Sequence, residues 1–294
     1  MNGIIVIDKP KGLTSRDVVN QVGRMFHMKR IGHTGTLDPL ATGVLVLCLG
    51  EATKLVEYIT ATKKEYIAEI TLGMETDTLD IEGSRKKIVP VPDIKEDQII
   101  QVLRRFEGLQ KQEVPIYSAI KVNGKKLYEY ARENRPVELP IHEIQIDQIK
   151  LVDGPKRRGD QVVFSIQTEV SKGTYIRSLV RDIGIQLGYP AVMSELRRIK
   201  QGKFTIGESV TLEQIERGIY HVMPLITGVD HFEKIEVDDE TKDKIQHGRI
   251  LTQEIPSEPI VFIDYQQNVL ALYKRYEKEP GKIKPIKVFH PEES

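Results

Sequence analysis

Apolar and polar positions in the first fifty residues alternate in runs that predict a strand, a helix and a second strand. Residues 3–7 are almost all apolar and precede the turn-forming sequence KPKG, which predicts a short buried strand. Thr14 or Ser15 can cap a following helix. Residues 44–49 predict a buried strand, whereas residues 31–43, with three glycines and a proline, predict a loop. The helix has one apolar face, formed by Val18, Val19, Val22, Met25 and Phe26.

Similar patterns continue to about residue 200 and predict both strands and helices. Alternating or β-branched stretches predict strands at residues 66–72, 117–122, 144–149 and 162–168. Apolar residues at helical spacing predict helices over residues 99–106 and 176–187, the second C-capped by Gly188. The basic run at 195–200 fits the end of a helix. Because strands and helices are interspersed without strict βαβ alternation, the pattern predicts a mixed α+β sheet.

The chain has a length of 294 residues, which predicts about two domains. Residues 230–240 hold six acids and one lysine, and this change of composition predicts a boundary between domains at residues 1–229 and 230–294. Two further strands, at residues 259–265 and 269–274, predict a small β-rich C-terminal module. The last residues, from Pro291 on, are expected to fray.

Composition excludes several classes of protein. Hydrophobic residues make up 39% and charged residues 29%, with 43 basic and 43 acidic residues, as in a soluble globular protein rather than a disordered one. Cys48 is the only cysteine, which excludes an intrachain disulfide, and the seven histidines show no paired spacing for structural zinc. No apolar run is long enough for a membrane span, and no signal peptide is visible. We therefore expect a cytoplasmic protein, with a monomer as the default because no oligomerisation pattern is present.

Charge is unevenly distributed despite the neutral total. Residues 18–37 contain no acid, and residues 171–200 contain six Lys or Arg against two acids. Residues 114–132 interleave three tyrosines with four basic residues. This composition is typical of an RNA-facing surface, although a solvated hairpin and helix would have it too.

The sequence GHTGTLDPLATG at residues 32–43 is the first candidate functional loop. Glycines let the backbone approach a ligand closely, and Pro39 favours an extended Asp38. The Asp38 carboxylate would then lie at the mouth of a rigid loop; alternatively, Asp38 forms only an Asx turn. The chain contains neither a P-loop nor a GxGxxG motif, which excludes the usual nucleoside triphosphate and dinucleotide sites.

The sequence SKGTYIRSL at residues 171–179 leads into the strongest predicted helix. The helix dipole disfavours Arg177 near the helix start unless it has an anionic partner; the alternative is a solvated surface arginine. Arg181, one turn later, could extend a phosphate-binding stripe. Tyr66 is either an ordinary strand aromatic or a stacking platform for a nucleobase.

Taken together, these motifs resemble the TruB family of tRNA pseudouridine synthases over roughly residues 3–228. The resemblance implies a pseudouridine synthase fold, with a mixed, largely antiparallel sheet in the catalytic domain. It also implies a PUA-like RNA-binding module at the C-terminus. The motifs that carry it are GHTGTLDPLATG, Tyr66, YSAIK at 117–121, GTYIR at 173–177 and LRR at 196–198.

Members of this family convert the T-loop uridine of tRNA, at tRNA position 55, to pseudouridine without cofactor or metal. The resemblance therefore implies tRNA as the partner and Asp38 as the catalytic carboxylate. Arg177 matches the arginine that pairs with this carboxylate. Tyr66 matches the residue that stacks on the flipped-out uracil, and it is also a candidate for proton transfer.

The resemblance further implies residues that bind the substrate. His33 matches a residue that contacts the loop vacated by the base, while Tyr175 and Leu196 match positions that line the uridine pocket. A larger set of basic residues is predicted to contact RNA phosphates, which would add affinity without reading sequence. These are Lys9, Lys121, Arg181, Arg197 and Arg198.

Two other functions compete with this prediction. The first is an RNA-binding or RNA-folding protein with a vestigial pocket, which the basic stretches also fit. The second is a glycoside hydrolase or base-removing enzyme that would use Asp38 with a second carboxylate. No motif places a second carboxylate, so the isomerase prediction is favoured.

Overall fold

The structure, a computed structural model, describes residues 1–290, so the expectation for residues 291–294 lies outside the described part. The strands are β1 (Gly3–Lys9), β2 (Ile31–His33), β3 (Thr42–Leu49), β4 (Lys64–Leu72), β5 (Met74–Thr76), β6 (Arg85–Ile88), β7 (Gly108–Glu113), β8 (Lys121–Val122), β9 (Lys125–Lys126), β10 (Ile141–Arg158), β11 (Gln161–Val170), β12 (Ala191–Gln201), β13 (Phe204–Thr205), β14 (Lys234–Glu236), β15 (Leu251–Thr252), β16 (Ile260–Ile263), β17 (Val269–Arg275) and β18 (Lys282–Val288). The helices are α1 (Ser15–Met25), α2 (Val56–Thr60), α3 (Glu96–Arg104), α4 (Leu127–Arg132), α5 (Ile176–Leu187), α6 (Leu212–Glu216) and α7 (Asp239–Gln246).

The main sheet has nine strands, and its central path runs β1-β3-β12-β4-β11-β10-β7. The pairing of β12 with β3 is parallel, through Arg197 opposite Thr42, and the remaining pairs are antiparallel. The predicted mixed, largely antiparallel sheet is therefore confirmed. The parallel pairing also brings the LRR motif of β12 beside the end of the loop that carries Asp38.

Helices cover the sheet through apolar stripes that the sequence predicted. Helix α5 packs with α3 against β4, β11 and β12, in a core that includes Leu179, Ile183 and Phe164. Helix α1 covers a second core with β1 and β3, and its N-cap is Thr14, in a capping box with Asp17. Local sequence therefore set both helices, and burial of one apolar face holds them on the sheet.

Three predicted elements differ in the structure. Residues 31–33 form β2 rather than loop, because they pair with β3. Residues 117–120 form no strand, because their carbonyls have other donors. The Tyr117 carbonyl accepts from the Arg177 guanidinium, that of residue 118 from the amide of residue 128, and that of residue 120 from the amide of residue 127. The basic run 195–200 belongs to β12 and not to a helix end, because it pairs with β4.

The C-terminal part forms a five-stranded sheet in the order β14-β16-β17-β18-β15, which confirms a small β-rich module. Helix α7 packs against β17 and β18 of this module. Val261 and Ile263 of this sheet share a hydrophobic core with Val44 and Val46 of the main sheet. The division between residues 229 and 230 remains a prediction. No helix in the described residues is long and apolar enough to cross a membrane.

Candidate active site

A cleft of about 490 Å³ lies where the Asp38 loop meets β4, β12 and the start of α5. The segment around Tyr117 and Tyr128 forms another wall. Asp38, Tyr66, Tyr175, Arg177 and Leu196 all line this cleft, although the sequence scatters them over some 160 positions. Folding therefore brings together five of the residues predicted for catalysis or uridine binding.

Asp38 and Arg177 form an ion pair at the centre of the candidate site. Arg177 Nη2 lies 3.0 Å from Asp38 Oδ2. The Arg177 side chain is only 8% exposed, whereas that of Asp38 is 41% exposed and faces the cleft. Because burial and pairing fix the guanidinium, it can orient the carboxylate while leaving the other oxygen for a ligand.

Backbone carbonyls and a second carboxylate complete the surroundings of Arg177. Its guanidinium donates to the Thr78 carbonyl at 3.0 Å and to the Tyr117 carbonyl at 3.1 Å. Asp80 Oδ2 lies 4.0 Å from Arg177 Nη1, and the other Asp80 oxygen accepts from the Thr78 hydroxyl. Sequence analysis did not identify Asp80. It is buried and lies outside the cleft lining, so it supports Arg177 rather than facing a ligand.

Arg198 binds the backbone on both sides of Asp38 in the sequence. Its Nε donates to the Val44 carbonyl at 2.6 Å and its Nη2 to the Gly35 carbonyl at 3.0 Å. Gly43 has a φ of +97°, and a Cβ there would collide with the Arg198 carbonyl. Glycine is therefore required where β3 passes β12.

Two further buried polar side chains hold the loop, and the sequence analysis predicted neither contact. The Ser15 hydroxyl accepts from the Leu37 amide at 2.8 Å. Gln201 Nε2 donates to the Thr34 carbonyl at 3.0 Å and to the Thr34 hydroxyl at 2.8 Å. Neither residue has a local pattern that marks it, because its role depends on partners that are distant in sequence.

Lys9 and Arg198, which were predicted to contact RNA phosphates, both have buried side chains, and their contact with RNA stays a prediction. Lys9 Nζ donates to the carbonyls of Pro10, Leu13 and Pro39, the last at 3.4 Å. Burial lowers the pKa of Lys9 to about 8, against an opposing attraction from Asp38. These two cations therefore bind the protein's own backbone beneath the Asp38 loop.

Three side chains give the cleft its apolar and aromatic walls. Tyr66 on β4 and Leu196 on β12 are buried in the core below the Asp38 loop. Tyr175 is the N-cap residue of α5. Its backbone is fixed by Gln112 on β7, which donates to the Tyr175 carbonyl at 3.1 Å and accepts from its amide at 2.8 Å. The cleft thus combines one carboxylate with walls suited to a flat ring.

His33 lies on β2, outside the described residues that line the cleft. Burial, Arg16 and Arg198 all lower the pKa of His33, so the imidazole is neutral near pH 7. Its Nδ1 has no hydrogen-bond partner among residues 1–290. The structure therefore places His33 outside the cleft lining, and its contact with RNA stays a prediction.

The other three predicted phosphate contacts differ in whether a carboxylate pairs with them. Arg181 is paired with Glu113 and Asp182, each at 2.8 Å. Arg197 makes a bidentate pair with Asp8, at 2.8 and 3.1 Å. Lys121 is exposed on β8. Only Lys121 of these three has a side chain without a carboxylate partner in the described part of the chain.

Comparison with known proteins identifies the family. The model of the TruB family pseudouridylate synthase N-terminal domain matches residues 23–176, and that of the tRNA pseudouridylate synthase B C-terminal domain matches residues 177–223.

The chain belongs to the TruB family of pseudouridylate synthases.

Two relatives cover the chain almost completely. The tRNA pseudouridine synthase B of Oceanobacillus iheyensis is 43% identical over 300 residues, covering 98% of each chain. That of Geobacillus thermodenitrificans is 40% identical over 302 residues, covering 98% of this chain and 100% of the relative. The TruB family fold and an isomerase activity therefore apply to the whole described chain.

Solved structures support the same fold. The Cbf5-Nop10-Gar1 complex contains a chain with a TM-score of 0.72 and 28% identity, covering 98% of this chain and 85% of that one. An H/ACA ribonucleoprotein bound to a substrate RNA containing 2′-deoxyuridine gives a TM-score of 0.70 with the same identity and coverage. These similarities agree with the TruB-family assignment. Among residues 1–290, no group of three or more His, Cys, Asp or Glu side chains could hold a metal ion.

Proposed function

We propose that this TruB-family chain isomerises the T-loop uridine of tRNA, at tRNA position 55, to pseudouridine. The single observation that carries the proposal is the cleft-facing Asp38 carboxylate, 3.0 Å from the buried Arg177 guanidinium. The relatives named tRNA pseudouridine synthase B support tRNA as the substrate. The proposal assigns the reaction to a single chain in the cytoplasm.

The reaction moves one glycosidic bond within one nucleotide. The bond between uracil N1 and ribose C1′ breaks, a bond between C5 and C1′ forms, C5 loses a proton and N1 gains one. Asp38 serves as the nucleophile or base that makes the uracil detachable. Attack at C1′, attack at C6 and removal of the C2′ proton all use a carboxylate in this position. The net change is an isomerisation, so the balance requires no oxidant, reductant or phosphate donor.

The walls of the cleft suit a uracil that has left its stack. A base within a folded loop must be extruded before a carboxylate can reach its glycosidic bond. Tyr66 offers a ring for stacking, Leu196 an apolar wall, and Tyr175 a second aromatic ring on a backbone that Gln112 holds. A phenol is a poor base near neutral pH, so stacking is the first role we assign to Tyr66.

RNA outside the cleft would be bound by the remaining surface. We assign residues 1–229 to catalysis and the PUA-like module of residues 230–294 to RNA binding. Of the five predicted phosphate contacts, Lys121, beside the cleft-lining residues Tyr117 to Ala119, is the one that is exposed and has no carboxylate partner among residues 1–290.

The test measures pseudouridine in an unmodified tRNA transcript, with binding measured in parallel. We expect Asp38→Asn to bind tRNA normally. Its turnover should fall by at least roughly 10²-fold to 10⁴-fold, which is the range for loss of a positioned proton-transfer group. Asp160→Asn, in the exposed turn between β10 and β11, is the matched control and should retain wild-type turnover.

Other outcomes would favour the competing functions. Tight tRNA binding without isomerisation by the wild type would contradict the proposal and favour an RNA-folding protein. Release of free uracil would indicate hydrolysis instead. Wild-type turnover by Asp38→Asn would remove the carboxylate from the mechanism.

A further inference from the structure

Three cations line the part of the cleft around Lys64, and we call them the Lys64 end: Lys64, Lys172 and Arg198. All three line the cleft. Lys64 and Arg198 both approach Gly35, since a Cβ built there would lie 3.8 Å from Lys64 Cε and 3.2 Å from Arg198 Nη1. The Asp38 loop thus has cations packed against its first residues.

None of these three cations is paired with a carboxylate among residues 1–290. The ion pairs of the described chain include Arg177, Arg181 and Arg197 but not the three residues of the Lys64 end. Burial first, and then repulsion from Arg198 and Lys172, lowers the pKa of Lys64 to about 8. Positive charges that repel one another in a partly buried site favour the entry of an anion.

Lys64 has a structural role that explains only part of its placement. The side chain is buried, and its Nζ donates to the carbonyls of Thr60 at 2.8 Å and Thr62 at 2.6 Å, at the end of α2. An ammonium group has three donors, so one remains for a group in the cleft. Helix capping does not explain Lys172, which is exposed on the turn before α5 at the rim of the cleft.

We propose that Lys64 and Lys172 bind a backbone phosphate flanking the flipped-out uridine, with Arg198 supporting the positive charge behind them. The proposal rests on the proposed function, because it assumes that a nucleotide enters the cleft. A uridine whose base lies between Tyr66 and Leu196 brings its own phosphates to the rim. An RNA phosphate is also the anion that two adjacent ammonium groups suit, since each acts as a point charge with free donors.

The test combines protein variants with substrates in which one phosphate is neutral. T-stem-loop RNAs carry a methylphosphonate either 5′ or 3′ of the target uridine, and affinity is measured across a range of salt concentrations. One of the two methylphosphonates is expected to weaken wild-type binding. Lys172→Met should weaken binding of unmodified RNA and lower the slope of log K against log salt concentration by about 1.

The decisive experiment combines a lysine substitution in the protein with a methylphosphonate in the RNA. In Lys172→Met, the sensitive methylphosphonate should cause little further loss, because the contact is already missing. Lys64→Met should show the same reduced sensitivity and also a lower Tm, since the Thr60 and Thr62 carbonyls lose their donor. Lys150→Met, an exposed lysine on β10 outside the cleft lining, is the control for loss of one charge and should keep the full sensitivity.

Failure of the phosphate site and failure of the proposed function give different results. If the wild type forms no pseudouridine in unmodified tRNA, the proposed function is wrong. If it forms pseudouridine but both lysine variants keep the full methylphosphonate sensitivity, the proposed phosphate site is wrong and the proposed function stands. Insensitivity of the wild type to both methylphosphonates would also overturn the phosphate site.

Discussion

Arg177 and Arg198 are both buried arginines that line the same cleft, but their guanidinium groups have different partners. Arg177 pairs with Asp38 and lies near Asp80, so carboxylates balance its charge. Arg198 donates to the Val44 and Gly35 carbonyls and has no carboxylate partner in the described chain. One arginine therefore orients a reactive group directly, whereas the other shapes the loop that presents it.

The same contrast extends to the two ends of the cleft. At the Asp38 end, Asp38 and Arg177 offset one another. At the Lys64 end, Lys64 and Arg198 donate to backbone carbonyls and none of the three cations has a carboxylate partner in the described chain, so positive charge remains for a ligand. A cleft with a fixed carboxylate at one end and excess cation at the other suits a nucleotide, which presents a reactive sugar beside a phosphate.

Removal of Arg177, the partner of the Asp38 carboxylate, should have the largest effect on activity. Arg177→Gln is expected to lower kcat by roughly 10²-fold or more, because Asp38 loses its orienting group and reacting atoms tolerate little misplacement. Two backbone carbonyls also lose their donor, and Asp80 loses a nearby cation. Pseudouridine formation at saturating tRNA measures the loss. Arg181→Gln, one turn further along α5 and paired outside the cleft, serves as control; equal losses in both variants would contradict the role of Arg177.

Removal of the loop's support should have a smaller effect. Arg198→Met is expected to lower kcat by about tenfold, since the Asp38 loop keeps its contacts to Ser15 and Gln201 while losing those at Gly35 and Val44. Added guanidinium should restore part of kcat by refilling the vacated site. The half-exposed Arg197→Met is the matched variant, and guanidinium should leave it unchanged. Absence of rescue in Arg198→Met would argue that Arg198 does not position the loop.

The smallest effect is a pH dependence of stability at Lys9. Burial lowers the pKa of Lys9 from 10.5 to about 8, so between these values the unfolded chain binds a proton that the folded chain does not. The free energy of unfolding should therefore rise with pH from about 8 to 10.5, relative to Lys9→Met. Chemical denaturation of both proteins across this pH range measures the difference in free energy of unfolding. The contribution of Lys64, whose pKa is also lowered, cancels because both proteins contain it. If the difference in free energy of unfolding between wild type and Lys9→Met stays constant or falls with rising pH, the lowered pKa of Lys9 is wrong.

Sequence reasoning worked best where the determinants are local. The capping of α1 by Thr14, the apolar stripe of α5 and the buried strand β3 were all predicted, because their periodicity lies within a few adjacent residues. Residues 117–120 were assigned wrongly to a strand. Their alternation suits a strand, but Arg177 and α4 take their backbone acceptors, and nothing in the local sequence indicates that.

The basic residues show the same limit more sharply. Sequence alone gives each lysine or arginine a charge but no depth, so Lys9 and Arg198 were predicted as phosphate contacts although both are buried. Lys64 and Lys172 were not singled out, because nothing in the local sequence around either lysine marks a shared site. Burial and pairing decide which cations remain available to a ligand, and both depend on residues far away in the chain.

The sequence by itself determined the chemical groups, namely a glycine-rich loop with Asp38, an arginine at the start of α5 and the apolar patterns that build a mixed sheet. Only the tertiary structure decided which groups meet. It set Arg177 against Asp38, placed Asp80 behind them and turned Arg198 towards the backbone of the loop. The physical reason is that helix caps and apolar stripes act over a few residues, whereas ion pairs and burial depend on distances that exist only after the sheet has assembled.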